Sequence, residues 1–98
     1  MRFKLPSECR IGGATYQVRR VALEDHHLYG QTIHKDQVMK IASDIKQEAQ
    51  NRETFLHEAI HVIDEIYDLG LRESQVRRFA HGLDELVQQL EMANASEE

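Results

Sequence analysis

Two hydrophobic periods divide this chain. Up to about residue 43 apolar and polar positions alternate in short runs; from about Gln47 onward apolar positions recur every three or four residues. In the first part, "ECRIGG" and "ATYQVRRVAL" read as strands joined at Gly12-Gly13, a pair suited to the positive φ angles of a tight hairpin. After the polar "EDHH", the segments "LYGQTIH" and "QVMKIAS" read as a second strand pair turning at Lys35 and Asp36. In the second part, Phe55, Leu56, Ala59, Ile60, Ile63, Ile66 and Tyr67 share one broad face of a helix that ends near Gly70. Val76, Phe79, Ala80, Leu83, Leu86, Val87 and Leu90 form a stripe on a second helix. The pattern predicts an α+β fold: strands within residues 7–43 in a small, antiparallel-rich sheet of three or four strands, then packed helices over 48–69 and 72–92. The polar end, residues 93–98, is expected to be a disordered tail.

The length fits this sketch. Ninety-eight residues suffice for one core and one domain, and no repeat, linker or low-complexity segment divides them. A composition of 41% hydrophobic and 30% charged residues is that of a soluble globular chain, and no apolar run reaches the ~18 residues of a membrane span. The start, "MRFKLPSECRIGG", lacks a signal-peptide apolar run, so the expected compartment is the cytoplasm. A net charge of −5 argues against a nucleic-acid or anionic-membrane partner, which would need a basic surface. Cys9 is the only cysteine, so any metal must be held by His, Asp or Glu.

The first helix carries such a set. In "ETFLHEAIHVIDE", His57 and His61 stand four residues apart, one above the other on a helix, where both imidazoles can reach one ion. Glu58, about 100° round the helix, falls beside the ion, placed to take a proton from a water that the metal acidifies. This is the H-E-x-x-H arrangement, expected to hold Zn2+. A polar face rich in histidine would show the same residues without a metal, since His57 and His61 lie opposite the apolar face with Gln50, Thr54, Asp64 and Asp68.

Catalytic zinc takes three protein ligands and keeps one position for water. Asp64 and Glu65 lie a turn too far along the first helix, so the third ligand is expected from the second. Glu73 lies about 80° from the centre of the second apolar stripe and His81 about 160°, which favours Glu73. A straight antiparallel helix pair turning at Gly70 would instead bring His61 level with position 79, so Glu73 reaches only if the helices cross or the first ends early. Both candidates stay open on this reasoning.

"RETFLHEAIHVID" followed by "LRESQVRRFAHGL" resembles the ImmA/IrrE-type small zinc metallopeptidases, often carried by phages and mobile elements, and the minimal gluzincins. The resemblance spans over half the chain. It implies a zincin-like fold, His57, His61 and Glu73 as zinc ligands, Glu58 as general base, and a peptide or protein as substrate. Ile60 stands where the family usually has glycine, and Arg77 where larger gluzincins have aspartate. Arg77, His81 and Tyr29 are the candidates for stabilising an oxyanion.

Other residues have plainer readings. His26, His27 and His34 read as turn or surface residues, and Phe3, Tyr16 and Tyr29 as strand packing. The expected function is a minimal zinc-dependent peptidase. A non-catalytic metal-binding or interaction module of a phage or mobile element is the alternative, and a helix-pair dimerisation domain with solvated histidines a third. Oligomeric state is not set by the sequence.

Overall fold

The structure, a computed structural model, describes residues 3–97. Four strands come first: β1 (Glu8–Ile11), β2 (Ala14–Val21), β3 (Gly30–Ile33) and β4 (Val38–Ala42). Two helices follow, α1 (Glu48–Tyr67) and α2 (Glu73–Glu97). The fold is α+β, a sheet followed by two helices, as the periodicities predict.

Both expected hairpins form. Gly12 and Gly13 take φ of 56° and 82° at the β1–β2 turn, values that suit glycine and match a turn needing positive φ twice. The turn also docks on the end of α1, because a Cβ on Gly12 would stand 2.5 Å from Ile66 Cγ2. Strands β3 and β4 pair antiparallel across a turn in which Gln37 donates its N–H to the His34 carbonyl.

The sheet order is β1-β2-β4-β3; two of its three pairings are antiparallel, as expected of an antiparallel-rich sheet, while β2 pairs with β4 in parallel and makes it mixed. The reason lies in composition. "VMKIA" is the most apolar strand, with Met39 and Ile41 fully buried, and it gains most from a central position with a neighbour on each side. "GQTI" is short and polar, and it sits at the edge.

Helix α1 lies between the sheet and α2 and is buried on two faces. Ala59 and Val62 pack with Tyr16, Val18, Met39 and Ile41 of the sheet, flanked by Phe55 and Ile66. Ile60, with Leu56, packs against Val76 and Ala80 of α2 and against Leu71. The face with His57 and His61 lies between these two and opens along β3.

Helix α2 departs from expectation in two ways. It runs through Ala93 and Asn94 to Glu97 rather than fraying after residue 92, since Glu91, Met92, Ala93 and Ala95 favour a helix and no glycine or proline stops it; Glu98 lies outside the described residues. Its apolar stripe also divides. Val76 and Ala80 are buried, while Phe79, Leu83, Leu86 and Leu90 are exposed. The buried side is completed by Asp84, whose carboxylate takes the Arg52 Nε–H in an ion pair between the helices, with side-chain exposures of 10% for Arg52 and 11% for Asp84. No helix among the described residues is long and apolar enough to cross a membrane.

Candidate metal centre

The connection between the helices decides which residue of α2 meets the histidines. Asp68 enters the left-handed region at φ 52° and ends α1, its N–H bonded to the Asp64 carbonyl. Residues 69–72 are not helical, so a short extended stretch doubles back along α1. Asp64 holds it, accepting the Leu71 N–H on Oδ1 at 3.0 Å, and the Leu71 side chain packs into the Ile60 cluster. Helix α2 then starts at once, with Gln75 Oε1 accepting the Arg72 N–H at 2.8 Å, the return half of a capping box. A five-residue return in place of a straight hairpin brings Glu73, rather than position 79, level with His57 and His61.

Glu73 closes the triad. Its Oε1 lies 2.7 Å from His57 Nε2 and its Oε2 3.1 Å from His61 Nε2. One ligand atom from each of the three residues falls within 4.8 Å of the others, near the roughly 3.5 Å spacing of ligands about 2 Å from a shared tetrahedral ion. The imidazoles sit one turn apart, ring centres 5.0 Å from each other and planes inclined at 60°. Two imidazoles and one carboxylate, with no thiolate, make a donor set suited to zinc.

The divided stripe explains the agreement on Glu73. Measured from the buried face of α2, centred on Ala80, Glu73 is only about 20° away, whereas the whole apolar stripe had put the inward direction well to one side. His81 lies about 100° from that centre and is exposed, so it stays out of the triad. Its Nδ1 instead pairs with Glu53 Oε1 at 3.2 Å, and this bond raises the imidazole pKa above its ordinary 6.5.

Glu58 is held differently. It is buried, and its Oε1 accepts the Thr32 hydroxyl of β3 at 2.7 Å. The strand can come so close because Gly30 has no side chain: a Cβ there would stand 2.9 Å from Thr54 Cγ2 and 3.0 Å from Glu58 Cγ. Sequence reasoning missed both Gly30 and Thr32. A glycine inside a short strand is a signal of close backbone approach, and it names the position without naming the helix that approaches.

These residues line a cleft of ≈ 750 Å³ between β3, the loop before it and the two helices. His57, Glu58, His61 and Glu73 face it, with Tyr29 and His34 on the strand side and Arg77 on α2. His34 is half-buried rather than a simple surface residue, its Nδ1 sharing a hydrogen bond with the Tyr16 hydroxyl at 2.9 Å. Burial pushes the Tyr16 pKa up, which keeps that hydroxyl protonated. His26 and His27 are exposed, as expected of turn residues.

Set against known proteins, the chain matches no family model, no curated protein and no solved structure.

Proposed function

We propose that this chain is a minimal zinc metallopeptidase, with His57, His61 and Glu73 holding the ion and Glu58 acting as general base. One observation carries the reading: three donors of the right kind converge in an open cleft, and a buried, oriented carboxylate stands next to them in the helix. A zinc ion with one position left to solvent would supply Lewis acidity toward a peptide carbonyl and lower the pKa of a water. The protein's own part is positional. Thr32 fixes one oxygen of Glu58, leaving the other to accept a proton and return it to the departing amine. β3 forms the sheet edge beside the cleft, where an extended peptide can add as a further strand.

The test is zinc-loaded protein incubated with a complex peptide library, the cut bonds read by mass spectrometry. Cleavages made by the wild type and absent with Glu58→Gln support the assignment, with turnover falling by about 10²–10⁴. Cleavages that persist in Glu58→Gln, or none from either protein, contradict it.

A second reading rests on the same distances. Because the Glu73 carboxylate already spans both imidazoles at 2.7 and 3.1 Å, the three residues can serve as a metal-free clamp that ties α2 to α1 in a non-catalytic interaction module. That reading predicts that His57→Ala loosens the helix pair while neither protein carries metal.

A further inference from the structure

Tyr16 and His34 form a polar pair that the peptidase reading leaves unused. Tyr16 is 2% exposed, set among the core side chains Val18, Met39 and Val62, so its hydroxyl hydrogen needs an acceptor within the protein. Among the described residues that hydroxyl has one partner, His34 Nδ1 at 2.9 Å. Two tautomers of the imidazole fit the distance, and only one satisfies the phenol. If Nδ1 carried the proton and donated it to the phenol oxygen, the buried hydroxyl hydrogen would be left without an acceptor. Nδ1 is therefore the acceptor, and the neutral ring holds its proton on Nε2. With Nδ1 turned inward to Tyr16, the ring edge that carries Nε2 is what His34 offers to the cleft it lines. A nitrogen that keeps its proton has no lone pair to give an ion, so His34 faces the cleft as a donor and not as a fourth ligand.

Strand β3 sets what this donor meets. Gly30 approaches Thr54 and Glu58, and Thr32 bonds Glu58, so this side of the strand runs along α1. His34, two residues beyond Thr32 and also turned inward, lies ~7 Å further along. That step is about one turn of α1, from Glu58 to the level of His61. An extended peptide added along β3 repeats its backbone groups at the same spacing, so His34 meets a carbonyl one step away from the bond beside Glu58. Given the peptidase reading, on which this step rests, we propose that His34 donates its Nε2–H to a backbone carbonyl of the peptide substrate next to the scissile bond, with Tyr16 fixing the tautomer that allows it. His34 is then a substrate-binding residue and Tyr16 a positioning residue. A bond made equally before and during reaction lowers KM and leaves kcat alone.

Two measurements on the whole zinc-loaded chain test this. Long-range proton-nitrogen correlation spectra at about pH 8, where an ordinary imidazole is neutral, are expected to show His34 with its proton on Nε2, the signal being identified by its loss in His34→Ala. Tyr16→Phe should bring in the Nδ1–H form. In cleavage of a peptide selected from the library, His34→Ala should raise KM about three- to tenfold, the value of one hydrogen bond, with kcat and zinc content unchanged. The double variant Tyr16→Phe with His34→Ala leaves no orphaned hydroxyl. It should keep the high KM, whereas a pair that only holds the fold would return KM to the wild-type value. If His34→Ala loses its far-UV circular dichroism, the double variant decides alone. A wild-type proton on Nδ1, a Tyr16→Phe spectrum like that of the wild type, or a double variant with wild-type KM overturns this inference and spares the peptidase reading. A wild type that cuts no peptide overturns both.

Discussion

Glu58 and the residues around it show how far single positions could be read in advance. His57, His61 and Glu58 were legible because the geometry of one helix fixes their relation: residues four apart align, and the next residue stands a step round. Thr32 was not legible, since its bond to Glu58 depends on which strand lands beside α1, and no local rule says that. Glu73 was favoured by an argument that took the whole apolar stripe of α2 as inward; the structure sets its carboxylate beside His57 and His61, but by a different inward direction. The Thr32 bond has a measurable consequence on the peptidase reading. Thr32→Val keeps the shape of the edge strand and removes the donor, so zinc content should stay at the wild-type level while turnover falls by roughly tenfold, in line with the loss of about one hydrogen bond to a charged group. Equal loss of metal and turnover would show that Thr32 supports the fold of the site rather than the base.

Among the elements, period and turn chemistry gave both hairpins and both helices, while what they could not give was how the pieces meet. Both hairpins are local, so the sequence between their strands specifies them; the parallel β2–β4 pairing that joins them is set by which strand gains most from the centre. The helix connection was hidden for a similar reason. Asp64 looked like one more polar residue on the histidine face, yet its side chain anchors the returning backbone at Leu71 and so positions Glu73. Arg52 and Asp84, which no sequence pattern singles out, form a buried pair, with Gln88 donating to the second Asp84 oxygen at 3.0 Å. Removing one partner strands the other in the interface. Asp84→Ala should therefore destabilise the chain by about 3–5 kcal/mol in urea unfolding, while Arg52→Met combined with Asp84→Leu should recover most of that loss. A single substitution costing under about 1 kcal/mol would mean the pair is solvated in solution.

For the molecule as a whole, the candidate centre ties the two helices together at one end and the Arg52–Asp84 pair holds them further along, so metal binding and stability should be coupled. An ion that binds only the folded chain adds about 2.7 kcal/mol of stability at a hundredfold excess over its dissociation constant, and a chelator should remove that increment. The central claim is a three-ligand metal site of His57, His61 and Glu73. The measurement that tests it most directly is the zinc content of protein purified without an affinity tag or chelator, for the wild type, Glu73→Ala and His81→Ala. The account predicts about one zinc per chain in the wild type and in His81→Ala, and a marked loss in Glu73→Ala, because zinc binding rests on the convergence of three donors. No zinc in the wild type after it is added back, or equal retention in Glu73→Ala, would contradict it and leave the metal-free clamp as the account of the same three residues.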